Sequence, residues 1–254
     1  MKEDNTILAG LFEKRKIETI GVVGMGYVGI PSAVLFASSP AYKRVYGFQR
    51  ESPTSGYKID MLNSGKSPLD GYEPKLDNLL ERAVTENKFI CTSDFSRIAE
   101  CDAITVAVQT PVVMHNGKFE PDFSSLTDGL KQVGKHLSKG TLVVIESTVT
   151  PGTTTNLARR ILESESGLVC GIDFGLSHAP ERVTVGSLIH NIRNLDRVIG
   201  GINKASTDRT VQLYSKVMES GSPITMDATA AEVTKTAENA FRDLQIAAVN
   251  ELAL

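Results

Sequence analysis

The chain has 254 residues, 41% of them hydrophobic, and a formal net charge of −3. That length can bury a sizeable core, and the lack of any basic excess argues against the phosphate-neutralising surface that nucleic acids require. Three cysteines without a Cys-x-x-Cys pair suggest neither a disulfide framework nor a structural zinc site, and fit a reducing cytoplasm. No apolar run approaches the ~18 residues of a bilayer span, so no membrane partner is expected.

Residues 1–18 read as a lead-in; Met1 to Lys16 mixes Glu3, Asp4 and Glu13 with bases and lacks the apolar core of a signal peptide. From Thr19 onward, short apolar runs alternate with segments of helical period, as βαβ units do. Strands are expected at Thr19–Val23, Val45–Phe48, Phe89–Cys91, Ala103–Val106, Thr141–Ile145, Phe174–Ser177, Arg197–Ile199 and Ile224–Met226. Most are β-branched without polar alternation, which suits strands covered on both faces. Helices are expected over Tyr27–Ala37, Pro74–Val84, Phe123–His136, Thr153–Leu162 and Ala205–Met218. A short one near Ile59–Asn63 interrupts the loosest stretch, Ser52–Gly71. The fold class is therefore α/β, with a Rossmann-like, doubly wound, mostly parallel sheet over residues 19–227.

The last segment differs. Thr229-Ala-Ala-Glu232 has the spacing of a capping box, in which the Thr hydroxyl meets the N3 amide and the Glu reaches back, so a helix is expected from near residue 230. It runs through Ala237, Phe241, Leu244, Ile246 and Val249 with no C-cap before Leu254, and residues 228–254 read as the start of a long helix cut from a longer chain.

Gly24-Met-Gly26-Tyr27-Val28-Gly29 follows the first strand directly and opens the first helix, the context that the dinucleotide-binding glycine turn needs. Gly24 makes the tight turn, Gly26 leaves room for a pyrophosphate at the helix N-terminus, and Gly29 lets helix and strand approach. The acid expected about 20 residues on, which would take the ribose hydroxyls, is replaced by Gln49-Arg50. Gln49 can hydrogen-bond a hydroxyl, whereas Arg50 suits a 2′-phosphate. NAD is the expected cofactor and NADP stays open.

Further motifs follow later strands: Gln109-Thr110-Pro111, Glu146-Ser-Thr148-Val-Thr-Pro-Gly-Thr-Thr154, Ala179-Pro-Glu181-Arg182 and Ala231-Glu-Val-Thr-Lys235-Thr-Ala-Glu-Asn239. As an ordered set spanning about Thr19 to Leu254, they resemble the UDP-glucose/GDP-mannose dehydrogenase family. The resemblance implies oxidation of a sugar C6 alcohol to the carboxylate with two NAD, through a cysteine thiohemiacetal and thioester. It implies that Thr148 orients a water beside the cofactor and that Glu181 accepts protons. It also implies that Lys235 and Asn239, i and i+4 on one helix, stabilise the developing alkoxide. Gln109 and Thr110 join the glycine turn, Gln49, Arg50 and Thr148 as cofactor contacts.

Each residue has a plainer reading. Lys235 and Asn239 could be a solvated face, Thr148 a cap for the following helix, and Glu181 half of a surface ion pair with Arg182. Glu146 could end a strand rather than assist the nicotinamide, and His178 could be structural rather than a sugar contact.

The family's nucleophile belongs to a Gly-rich Cys-Pro-Lys-Asp segment that this sequence lacks. Cys91 and Cys101 read as small core hydrophobes and Cys170 as a loop residue without a basic neighbour. The resemblance therefore implies that this chain is the cofactor-binding portion, inactive alone, without the C-terminal nucleotide-sugar domain. The Pro-Glu-Arg form and Asp196-Arg-Val-Ile-Gly-Gly201 look like the branch acting on UDP-N-acetylhexosamines. UDP-N-acetyl-D-mannosamine comes first, with UDP-N-acetylglucosamine and UDP-glucose behind it. A β-hydroxyacid dehydrogenase and a non-catalytic NAD-binding module are the rival readings. The helix from Thr229 resembles the interdomain helix through which family members dimerise, so a homodimer is expected of the intact protein.

Overall fold

The computed structural model describes residues 15–71, 73, 75–181 and 186–253. The elements in chain order are β1 (Thr19–Val23), α1 (Gly29–Ser38), β2 (Arg44–Phe48), α2 (Tyr57–Asn63), α3 (Leu76–Thr85) and β3 (Phe89–Thr92). After a 3-10 turn at Phe95–Glu100 come β4 (Ala103–Val106), β5 (Val112–His115), β6 (Lys118–Pro121), α4 (Ser124–His136) and β7 (Leu142–Ile145). A wide π-type turn at Thr153–Ala158 leads into α5 (Arg159–Ser166), then β8 (Gly175–His178), α6 (Leu188–Asn194), β9 (Arg197–Gly201), α7 (Lys204–Tyr214), β10 (Pro223–Asp227) and α8 (Ala228–Leu252).

Eight strands form one sheet in the order β10-β9-β8-β7-β4-β1-β2-β3. All neighbours pair in parallel except β8 and β9. The order reverses between β1 and β4, the place where a doubly wound sheet opens a crevice beyond its carboxyl ends. Alternation along each strand feeds two cores. Ile20 and Val22 join residues of α1, α3 and α7 on one face, whereas Val23, Ile104 and Ile145 meet Leu126, Leu130 and Val133 of α4 on the other. Each such fully buried aliphatic side chain contributes roughly 1.5–3 kcal/mol. Because α1 is buried from Gly29 to Ala37, it has no polar face and fits only beneath other helices.

The expected α/β class and all eight apolar runs are found as strands, with ends differing by a residue or two. The expected start of the third helix at Pro74 lies outside the described residues. Three elements were not expected: the Phe95–Glu100 turn, α6, and the antiparallel β5–β6 hairpin. The hairpin turns on Asn116 and Gly117, both left-handed (φ 51° and 76°), the two-residue turn that matches strand twist. The Asn-Gly pair was the legible signal for it.

The start of α8 departs from the capping-box reading. Asp227 is the N-cap, its Oδ1 accepting from the Ala230 amide at 2.9 Å, and the helix begins at Ala228. A stronger acceptor two residues earlier wins the cap, so Glu232 does not reach back and is used elsewhere.

Candidate functional site

Beyond the carboxyl ends of β1, β2 and β4 lies a cleft of about 580 Å³, lined by Gly24, Gly26, Gln49, Arg50 and Gln109 among others. Its size suits a nucleotide. Gly24 is left-handed (φ 99°), and a Cβ there would stand 2.6 Å from the Ala107 carbonyl oxygen. A Cβ on Gly29 would fall 1.9 Å from the Gly24 oxygen, so only glycine allows α1 to start this close to the turn. A Cβ on Gly26 would meet nothing within 4 Å. Its space is open, and the Ile30 amide donates to its carbonyl at 3.0 Å as α1 begins. The turn thus presents a helix N-terminus to an open-sided cradle, and the residues present fit a dinucleotide pyrophosphate.

Gln49 Oε1 accepts from the Met25 amide at 3.3 Å and its Nε2 donates to Ser55 Oγ at 3.0 Å. The amide therefore braces the glycine turn instead of standing free for a ribose hydroxyl. Arg50 reaches across to Asp128 of α4, with Nη1 3.1 Å from Oδ2. Lys58 was missed: its Nζ donates to the Met25 carbonyl at 3.2 Å, placing a cation against the turn that would hold the pyrophosphate. No motif marks it, because a loose segment brings it back to the turn. Tyr27, Val28, Gly29 and Thr110 do not line the cleft. Tyr27 donates to the Asp70 carbonyl and Val28 accepts from the Ser32 amide inside the first turn of α1.

The loops after β4 and β7 are locked together next to the cleft. Ser147 Oγ accepts from the Val108 amide at 3.0 Å and donates to the Val108 carbonyl at 2.7 Å, while Thr110 Oγ1 donates to the Thr148 carbonyl at 2.6 Å. The Thr148 side chain itself is exposed. It does not cap the following helix: that turn starts at Gly152, and Glu232 serves its amides. The fully buried Glu232 carboxylate accepts from Gly152 N at 2.5 Å and Thr154 N at 2.7 Å. An anion at a helical N-terminus is where the backbone dipoles favour it. Glu232, Lys235 and Asn239 are i, i+3 and i+7 on α8, hence one stripe. Glu232 pins that stripe to the segment carrying Thr148; Lys235 is half-buried and Asn239 exposed.

Further along the same edge is a buried charge cluster. The β8–β9 pairing matches His178 with Gly200, and the same register continued puts Glu181 opposite Arg197. Because β9 runs backwards, its first residue lies at the carboxyl ends of β7 and β8. Arg197 bonds Glu181 through Nη1, and through Nη2 it bonds Glu146 Oε1 at 2.8 Å and the Ala179 carbonyl at 2.9 Å. Tyr214 donates to Glu146 Oε1 at 2.7 Å, and its ring lies 3.7 Å beneath the guanidinium.

Burial raises the Glu146 pKa against the pull of Arg197 and the Tyr214 hydroxyl. Burial works to lower the Arg197 pKa, but the carboxylates, Glu181 foremost, hold it above its ordinary value. His178, fully buried beside them, is pushed down to about 3 by burial and then by the Arg197 charge, and stays neutral. The surface-pair reading of Glu181 is thereby corrected: it is 8% exposed and pairs with Arg197, while Arg182 lies outside the described residues. Glu146 directly follows β7 and is buried in this cluster. The sequence places Arg197 at the start of a strand and in the Asp196-Arg-Val-Ile-Gly-Gly201 motif, but its partners are too distant in sequence for a local motif to reveal its role in this cluster.

The cysteines are all buried, and burial raises each thiol, to about 12 for Cys91 and Cys170. None is a ready thiolate. Among the described residues no His, Cys, Asp and Glu cluster could hold a metal ion, and no helix is long and apolar enough to cross a membrane.

The NAD-binding domain of the UDP-glucose/GDP-mannose dehydrogenase family matches residues 18–218. The chain belongs to this family. A family member named UDP-N-acetyl-D-mannosamine dehydrogenase, from Pyrococcus horikoshii, is 37% identical over 235 residues, covering 92% of this chain and 53% of that protein. The solved NDP-N-acetyl-D-galactosaminuronic acid dehydrogenase of Methanosarcina mazei Go1 superposes with a TM-score of 0.90 at 61% identity, covering 97% of this chain and 52% of that one. GDP-mannose dehydrogenase from Pseudomonas aeruginosa, solved as a ternary complex, gives 0.80 at 28% identity, with coverage of 91% and 51%. The chain spans about half the length of these family members.

Proposed function

We propose that this chain is the cofactor-binding portion of an NAD-dependent dehydrogenase that oxidises the C6 alcohol of a UDP-N-acetylhexosamine to the uronate in two hydride transfers. The reading is carried by the glycine turn, whose Gly26 side opens onto the cleft at the reversal point of the sheet in a chain of this family. The bound dinucleotide would supply the hydride acceptor, with its pyrophosphate held by the turn and Lys58. Thr148 would orient water from the loop latched by Thr110. Glu181, held in place by Arg197, would take up protons. Lys235 and Asn239 would face the developing alkoxide from the stripe that Glu232 anchors.

The relatives support an N-acetylhexosamine over glucose. UDP-N-acetyl-D-mannosamine is the first substrate to try and its galacto counterpart the second, after the names that the relatives carry. Residues 19–227 form the dinucleotide-binding unit on this reading, and α8 opens the helix through which two copies of the intact protein pair. Its outer half exposes Phe241, Leu244 and Val249. The reducing cytoplasm is the setting the buried free thiols suit.

Titrating the chain with NADH and following nicotinamide fluorescence tests the cofactor role, with saturable binding expected. Incubating it with UDP-N-acetyl-D-mannosamine and NAD while watching nicotinamide absorbance should give no sustained turnover, because no thiolate nucleophile is available. Turnover would overturn the division of labour, and absence of NADH binding would overturn the reading itself.

A further inference from the structure

The choice between NAD and NADP rests in most dinucleotide-binding folds on the acid ending the second strand, which takes the ribose hydroxyls and repels a 2′-phosphate. Here that position is Gln49, and its amide is committed to Met25 and Ser55. The neighbouring Arg50 is the kind of group that would welcome a 2′-phosphate. Taken alone, the strand end therefore favours NADP.

The opposite wall of the cleft reverses that preference. Ser125, Asp128, Gly129 and Gln132 of α4 all line it, at i, i+3, i+4 and i+7, so helical periodicity itself aims Asp128 at the cleft. Its carboxylate sits 3.1 Å from Arg50 Nη1. Glu51, also lining the cleft, adds a second negative charge to the same end, while the other lining cation, Lys58, is drawn to the glycine turn.

We propose that Asp128 is the cofactor-specificity residue of this protein: it occupies Arg50 and presents a carboxylate where a 2′-phosphate would sit, making the cleft selective for NAD. The discriminating charge has moved from the second strand to α4. A 2′-phosphate would have to displace Asp128 from Arg50 and then lie beside a like charge, whereas a 2′-hydroxyl can donate to the carboxylate in place. The proposal rests on the reading of the cleft as a dinucleotide site.

The test is equilibrium binding of NADH and NADPH to the chain, by nicotinamide fluorescence at low salt, for wild type, Asp128→Asn, Arg50→Gln and the double variant. Wild type should bind NADH more tightly. Asp128→Asn should lower the NADPH Kd by roughly fivefold or more while moving the NADH Kd by less than about twofold, the scale expected for an exposed charge pair. Adding Arg50→Gln to that variant should abolish the gain. Salt should weaken NADPH binding more in Asp128→Asn than in wild type. A wild-type preference for NADPH, or an Asp128→Asn variant with an unchanged ratio, would overturn the proposal while leaving the cleft as a dinucleotide site. If neither nucleotide binds any form, the cleft reading falls too. Asp128 is more than half exposed, so loss of folding is not expected; Asp128→Ser serves as a second variant carrying the same expectation.

Discussion

At the carboxyl ends of β1, β2 and β4 the chain leaves space: glycines stand where side chains would fill the cradle, and the charged groups around it are largely exposed. At the carboxyl ends of β7 and β8 it leaves none. There Arg197, Glu181, Glu146 and Tyr214 are packed out of water and bonded to one another, beside a neutral His178 whose two ring nitrogens are buried without a hydrogen-bond partner. One edge of one sheet thus carries a region built to receive charge from outside and a region that pairs its charges internally. The first should tolerate substitution in folding and fail in binding. The second should do the reverse.

The largest expected effect tests the sealed region. Arg197→Met leaves Glu146 and Glu181 buried without a cation and should cost roughly 3–5 kcal/mol in urea denaturation. A loss under about 1 kcal/mol would mean that water reaches the cluster and the contrast is false. Glu232→Gln keeps the shape but offers one acceptor oxygen to two amides. It should cost about 1.5–3 kcal/mol and speed hydrogen exchange at Gly152 and Thr154; unchanged exchange at both amides would remove the clamp.

His178 gives a pH signature. Its folded pKa, about 3, lies below the ordinary value of 6.5, so the unfolded chain binds the proton first as pH falls. The stability that goes with neutral His178 is complete above 6.5 and is lost progressively down to about 3. Between those values wild type should lose up to about 1.4 kcal/mol per pH unit more than His178→Gln, compared by denaturation at matched pH. Parallel curves would show that the ring is hydrated. The smallest stability effect belongs to the open region. Gly26→Ala enters free space and should change unfolding by no more than about 1 kcal/mol, yet weaken NADH at least roughly tenfold by crowding the pyrophosphate. Equal binding would place the ligand elsewhere.

The same contrast explains what could be read in advance. The glycine turn, the strands and the ordered motifs are local, each written in adjacent residues whose types state their geometry. Gln49 was visible as a missing acid, but its brace on Met25 depends on the fold of a turn and a loose segment that no local pattern specifies. Arg197 belongs to a cluster spread from residue 146 to 214 and assembled by strand register, so its sequence neighbourhood shows a β-strand and a branch motif but not its ion pairs. Glu232 was noticed and assigned to the wrong helix: its spacing satisfied a capping rule, but Asp227 was already in place, and its partners are 78 and 80 residues away.

The reversed direction of β9 has a consequence for how the sheet edge assembles. A slip of one residue would offer Glu181 either Asp196, adding a further carboxyl group to a dry pocket, or Val198, leaving it with no cation. Only one alignment is electrically tolerable. The ion pair therefore favours the observed register of the outer strands, adding a charge requirement to the one that burial already sets.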